Sequence, residues 1–468
     1  MVKIVIVGAG SAVFSKNLIA DILAHEALCD AELALVDIDT ERLKTVTAMA
    51  KSINATLGAR GVISATANRL EALPGADFVI CTVGVGGIDA VRDDLEIPLK
   101  FGVKQTVGDT LGIGGIFRSA RSIPEVLRLC EDMERLCPRA YLINYTNPMA
   151  MHCLAIQRVS PIRAVGLCHG VRNTAKTMRM LVAMVETATP DEIATHFARP
   201  WNDATRNREW RDWMAMGNDP ALSYTCAGIN HMAFFLRFES GGKDLYPELK
   251  RALDIPHMLR MDPVRFELYR WLGFFMTETS GHTAEYTPYF LKSEEEIANR
   301  FLRVIDYINT CKDLDAEYRA LRDRIHAGEQ MISMPYTLSV EYASGIINGI
   351  VTDKPYLFNG NVHNRGGALI SNLPGDCCVE VPCVADRAGY TPTYIGDLPP
   401  QCAALIRTNV NVQDLAVRGI VEGKKEYIYQ AAMLDPNTSS TLTLPKIKEL
   451  VDAMFVAHAH RLPPALQP

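Results

Sequence analysis

The chain has 468 residues, 48% hydrophobic and 22% charged, with a formal net charge of −6. That length suits two or three domains, or two sharing a large interface, and can bury a core that needs no disulfide staples. Acidic and basic residues are interspersed throughout, so there is no basic face for a nucleic-acid backbone or an anionic membrane, and neither partner is expected.

The chain opens MVKIVIVGAG, a strand-like run with no charged leader or cleavage site, and no stretch approaches the roughly 20 apolar residues of a membrane span. Its twelve cysteines are scattered, which reads as reduced thiols in a cytoplasmic protein, with Cys81 and Cys130 as small core residues. Val2–Val7 is rich in β-branched residues and leads through Gly8-Ala9-Gly10 into a helix from about Ser15 to His25. Ala34–Asp37 reads as a second strand and Thr40–Leu57 as a helix, on the spacing of Leu43, Val46, Met49, Ala50 and Ile53. Phe78–Val83, Tyr141–Tyr145 and Ala164–Leu167 are further strands with helical stretches between them. This alternation predicts an α/β fold: a Rossmann-like, doubly wound parallel sheet over residues 1–185, with ligands beyond the C-terminal strand ends.

After about residue 180 the pattern changes. Helical and irregular stretches dominate, with strands near Ser223–Ile229, Ala233–Phe238 and Cys378–Val384. Residues 186–468 therefore read as a second, mixed α+β domain that completes a cleft over the first. Within it, Thr187–Pro220 holds three of the four tryptophans, Trp201, Trp210 and Trp213.

The turn after the first strand carries the first chemistry. Gly8 and Gly10, followed by Ser11 at a helix start, let backbone N–H groups approach a pyrophosphate. The third glycine of the usual fingerprint is replaced by Val13, so placement carries the argument: the turn closes the first strand, and Asp37 ends the second. A carboxylate there binds the adenosine ribose hydroxyls and repels a 2′-phosphate, favouring NAD over NADP; a tight turn without a ligand is the competing reading. In YLINYTNP, Asn147 stands at the same sheet edge, where it serves either a turn or a sugar or nicotinamide contact. Cys168 in GLCHG and His231 in CAGINH each follow a strand-like run, and a thiolate with an imidazole makes a plausible divalent-metal pair, set against core packing and a structural hydrogen bond.

The motifs VGAGSAVF, GDTLGIGG, NYTNPMAM, LCHG and CAGINHMAF, continuing through AEYTPYF and NLPGDCCVEVPC, resemble glycoside hydrolase family 4 over nearly the whole chain. The likeness is greatest to its melibiase-type α-galactosidases. It implies a small-molecule α-glycoside as substrate, bound NAD as a recycled catalyst, and Mn²⁺ or another divalent metal on Cys168 and His231, with sugar hydroxyls completing the shell. The implied chemistry oxidises carbon 3 of the sugar, removes the proton at carbon 2, expels the group on carbon 1, adds water and returns the hydride. Asp109, in GDTLG, falls where relatives place an acidic catalytic residue, and His169 where phospho-sugar relatives carry an acid. Tyr286 is the implied base, with His282 as the alternative alignment. A homo-oligomer, dimer or tetramer, is expected.

Two departures bear on sugar specificity and leave the reaction type untouched. Gly170 stands where the galactosidase branch leads one to expect serine, a glycine shared with α-glucosidase and α-glucuronidase or galacturonidase branches. Cys168 and His231 also lie 63 residues apart, a long interval filled by the tryptophan-rich segment. That segment either packs on its own domain or covers the cleft, an aglycone or a neighbouring subunit. The rival classes are a 2-hydroxy-acid dehydrogenase, for which no Arg–Asp–His set is evident, and an NAD-binding sensor, which would need neither Cys168 nor His231.

Overall fold

Six short runs in the first half, all but the edge strand β3 with buried residues, form parallel strands: β1 (Lys3–Val7), β2 (Glu32–Val36), β3 (Val62–Thr66), β4 (Phe78–Cys81), β5 (Tyr141–Asn144) and β6 (Arg163–Gly166). Their order, β3-β2-β1-β4-β5-β6, is that of a dinucleotide-binding sheet. Alternate residues of β1 serve opposite faces. Ile4 and Ile6 join the core holding Leu18, Ile19 and Ile22 of helix Ala12–Ala24, whereas Val5 and Val7 join Val126, Leu129 and Met133 of helix Gly112–Leu136. Helices on both faces are why these strands read as continuous apolar runs. The computed structural model describes residues 1–468, with the side chains at positions 12 and 13 outside the described set, so the side chain of Val13 lies outside it.

The second half adds β7 (Leu222–Ile229), β8 (Met232–Ser240), β9 (Lys243–Asp244), β10 (Tyr356–His363), β11 (Cys378–Asp386) and β12 (Gly389–Pro392). These extend the first sheet instead of forming one of their own. β10 runs antiparallel to β6 through Asn361 and Gly166, and the order continues β10-β11-β7-β8-β9, with β12 on β11. The junction is stitched by side chains: Asn361 Nδ2 donates to the Gly166 carbonyl at 3.3 Å, and Asn359 Nδ2 to that of Cys226 at 3.0 Å.

The tryptophan-rich segment forms helices Pro190–Ala198 and Ala204–Met216. The first starts with a capping box in which the Thr189 hydroxyl and the Glu192 carboxylate satisfy each other's backbone N–H. Trp213 is buried against His196, ring centroids 4.7 Å apart, and its indole N–H donates to Thr187 Oγ1 at 3.1 Å. Trp201 is 81% exposed beneath the Arg206 guanidinium. Ile193 and Trp213 pack into the core that holds Val171, Ala175, Met178 and Phe235, and none of the segment's residues lines the central cavity.

Candidate active site

A cavity of about 1040 Å³ opens beyond the C-terminal ends of β1, β4, β5 and β6. Ser11, Asn147, Cys168 and His231 all line it; Gly8 and Gly10 belong to the turn that carries Ser11, and Asp37, after β2, bonds to that turn.

At the turn, Gly8 has φ of 88°, and a Cβ there would meet the Thr82 carbonyl at 2.7 Å. A Cβ on Gly10 would lie 2.6 Å from Asp37 Oδ2, the oxygen that accepts the Gly10 N–H at 2.7 Å. The other Asp37 oxygen accepts from Asp39 N at 2.8 Å. Both glycines are thus required by close approach, and the turn backbone orients Asp37. Ser11 makes no side-chain cap to helix Ala12–Ala24, so its hydroxyl and the helix N-terminus remain to receive a phosphate. This arrangement fits a dinucleotide.

The opposite corner gathers side chains from distant loops. Cys168 follows β6, and His231 sits at the β7–β8 hairpin with φ of 64°. Cys168 Sγ lies 3.4 Å from His231 Nε2 and 3.5 Å from Glu278 Oε1, and Glu278 approaches His231 Nε2 at 3.8 Å. On its far side, His231 Nδ1 is bonded by Thr110 Oγ1 at 3.2 Å and Tyr286 Oη at 3.1 Å, which turns Nε2 toward Cys168. A thiol, an imidazole and a carboxylate converging in this way fit a divalent cation.

Tyr286 is fully buried, does not line the cavity and spends its hydroxyl on His231. Burial also pushes its pKa well above the ordinary phenol value. In this structure the Tyr286 hydroxyl meets His231 Nδ1 at 3.1 Å and so orients that ring. His282 does line the cavity. Its Nδ1 is tied to Thr279 Oγ1 at 3.0 Å, and its Nε2 stands 3.9 Å from Asp109 Oδ1. Burial, helped by neighbouring His231, lowers its pKa and favours the neutral ring.

Asp109 accepts from Asn147 Nδ2 at 2.9 Å and from Thr110 Oγ1 at 2.8 Å. Burial works to raise its carboxyl, but the charges of His282, Arg118 and His231 outweigh burial and hold it below the usual range. A lowered carboxyl favours the anionic form of Asp109. His169 lies across the cavity with Nδ1 2.9 Å from Glu341 Oε1; that hydrogen bond raises its pKa against the opposing effect of burial.

Residues 3–184 match the family 4 glycosyl hydrolase profile, and residues 226–438 match its C-terminal domain. The chain belongs to this family. An alpha-galactosidase of Bacillus subtilis (strain 168) is 39% identical to it over 467 residues, covering 99% of each chain. An alpha-galactosidase of Rhizobium meliloti (strain 1021) is 32% identical, covering 98% of this chain and 89% of its own. The fold is also that of a 6-phospho-alpha-glucosidase from gut microorganisms solved in complex with NAD and Mn²⁺, with a TM-score of 0.74 at 19% identity over 99% of both chains.

Two residues of this family 4 glycosyl hydrolase escaped sequence reasoning. Glu278 is one. Glu285 is the other: it is buried, and it receives the backbone N–H groups of Thr106 at 2.8 Å, Val107 at 3.0 Å and Gly108 at 3.0 Å. It lies in helix Ser280–Glu285, which also carries His282, and so it pins the Asp109 loop to that helix. Burial nevertheless raises the Glu285 carboxyl to about 7. The only sequence trace was its place inside the AEYTPYF motif.

Proposed function

We propose that this protein hydrolyses α-galactosides, with NAD⁺ on the Gly8–Ser11 turn and Asp37 and with Mn²⁺ on Cys168 and His231. The observation that carries the reading is one cavity holding a dinucleotide turn at one end and a thiol–imidazole pair at the other. When bound, NAD⁺ supplies a reversible hydride acceptor for carbon 3 of the sugar, and the metal a Lewis acid for the sugar oxygens. The chain does the rest. His282 Nε2, on a ring kept neutral by burial, takes the proton from carbon 2, with anionic Asp109 beside it. His169, whose Nδ1–H is held by Glu341, gives a proton from Nε2 to the leaving oxygen. Asn147 ties the sheet edge to Asp109 through its amide.

In this reading residues 1–185 form the NAD-binding unit and residues 186–468 the substrate and metal unit, a division supported by the two profile limits, 3–184 and 226–438. The metal corner draws on both. A thiol ligand suits a cytoplasmic setting, and among the described residues no helix is long and apolar enough to cross a membrane. Trp201 and Trp271, 81% and 78% exposed, support a homo-oligomer, which a solution mass measurement tests.

The deciding experiment incubates the protein with an aryl α-galactoside, NAD⁺, Mn²⁺ and a reductant in deuterated water. Released galactose should carry deuterium at carbon 2 without accumulation of NADH. Full activity after removal of both cofactor and metal, or no label at carbon 2, overturns the reading. Parallel α-glucoside and α-glucuronide substrates test the sugar, since faster turnover of either would reject galactose.

A further inference from the structure

We infer that Glu278 is a third protein ligand of the metal site, admitted there because position 170 has no side chain. The inference rests on the metal reading above and deepens it. Three observations support it.

The first is spacing. Donor atoms about 2.0–2.4 Å from one ion lie roughly 3–4 Å from one another. Glu278 Oε1 stands 3.5 Å from Cys168 Sγ and 3.8 Å from His231 Nε2, and those two atoms are 3.4 Å apart. The triangle is the right size for one ion.

The second is charge and backbone. The Glu278 side chain is 13% exposed and, among the described residues, forms no ion pair with lysine or arginine; His231 Nε2 stands 3.8 Å from it. The nearby Arg265 is engaged by Asp262 instead. A carboxylate held 3.5 Å from a thiol carries a desolvation cost that a bound cation would offset. Its backbone adds to the cost, since Glu278 has φ of 70° and His231 has φ of 64°, both left-handed and both non-glycine. Strain of this kind persists where the surroundings demand one side-chain direction, as a coordination site does.

The third is Gly170. A Cβ built there would lie 1.6 Å from Glu278 Oε1, 2.8 Å from its Cδ and 3.3 Å from Cys168 Sγ. Gly170 begins helix Gly170–Thr187 without a positive φ, so its backbone does not call for glycine. Space does. Its N–H also points to Cys168 Sγ at 3.4 Å. The departure from serine at this position is thus tied to the metal shell: a side chain at 170 and the Glu278 carboxylate cannot occupy the same volume. A carboxylate oxygen added to a thiolate balances the charge of a divalent cation and favours an oxygen-preferring ion such as Mn²⁺.

The test is Mn²⁺ titration of the full-length protein, with the signal of free Mn²⁺ read by electron paramagnetic resonance, for wild type, E278Q, G170A and the double variant. E278Q and G170A should each weaken Mn²⁺ binding about 10–100-fold, and the double variant should lose no more than either alone, since both remove the same contact. Circular dichroism and melting temperature should match wild type, because glutamine is isosteric and alanine fits the helical backbone. E278Q binding Mn²⁺ as wild type does, while C168S does not bind it, overturns the role of Glu278 and leaves the metal reading standing. An unchanged G170A overturns the role of the glycine. Wild-type protein that binds no Mn²⁺, or H231A and C168S proteins that bind it normally, brings down the metal reading itself.

Discussion

The turn at Gly8–Ser11 and the cluster of Cys168, His231 and Glu278 face one cavity, yet they are assembled over very different lengths of chain. The turn is nearly local: two glycines, an aspartate 27 residues beyond the second and one carbonyl of the neighbouring strand complete it. The cluster spans separations of 63 and 110 residues and depends on the β7–β8 hairpin and a loop of the second half. A site built from backbone shape follows from local residue choice, whereas a site built from converging side chains follows from topology. The two corners should therefore fail independently.

The hardest blow to that view, if it fails, comes from the metal corner. Cys168→Ser and His231→Ala should each lower kcat by roughly 10³-fold or more, the loss of several kcal/mol of charge stabilisation, while NAD⁺ binding measured by fluorescence stays intact. Loss of NAD⁺ binding in either variant would show that the corners are one unit.

Protonation separates the regions further. His152 is wholly buried between Ser122 Oγ at 2.7 Å and the Thr146 carbonyl at 2.9 Å, beneath the sheet edge that carries Asn147. Burial holds its pKa at about 4, below the ordinary imidazole value of 6.5. Between those values the unfolded chain binds a proton that the folded one refuses, so stability is complete above pH 6.5 and falls as the pH drops toward 4. The loss from this residue should reach about 3 kcal/mol. Urea melts at pH 7 and pH 5 measure it, and His152→Asn should flatten the dependence; an unchanged slope in that variant assigns the acid sensitivity elsewhere.

Glu285 sharpens the comparison from the catalytic side, since it touches neither corner. Replacing it with glutamine turns one acceptor oxygen into a donor facing the backbone N–H groups of the Asp109 loop. Kcat should fall about 10–100-fold, the cost of misplacing a reacting group by around an ångström, with KM and Mn²⁺ affinity little changed. A fall in melting temperature with kcat preserved would reduce Glu285 to a packing role. The mildest effect belongs to Gly10→Ala, whose Cβ drives the Asp37 carboxylate aside. NAD⁺ should bind about tenfold more weakly, the worth of one hydrogen bond to a charged group, with Mn²⁺ binding untouched.

Buried, β-branched strands were legible in the sequence. β1, β4, β5 and β6 start within one residue of their predicted positions and β2 within two, and helix Thr40–Thr56 matches to one residue. β3 and β10 were not. β3 is a mostly exposed edge strand with no apolar run to announce it. β10 contains Asn359, Gly360 and Asn361, which local preference assigns to a turn; the strand forms because neighbouring carbonyls accept from both asparagine amides.

The candidate site divides along the same line. Gly8, Gly10, Asp37, Asn147, Cys168 and His231 all sit at the ends of strands or at a hairpin, where a strand pattern alone predicts which residues reach the ligand edge. That much the sequence determined by itself, together with the fold class and the family. Only the tertiary structure decided which way Tyr286 points, that Glu278 enters the metal corner, that Glu285 clamps the Asp109 loop, and that the tryptophan-rich helices turn away from the cavity. Each of those depends on contacts between segments far apart in the chain. Local periodicity records which face of an element is buried, but not which distant side chain meets it there.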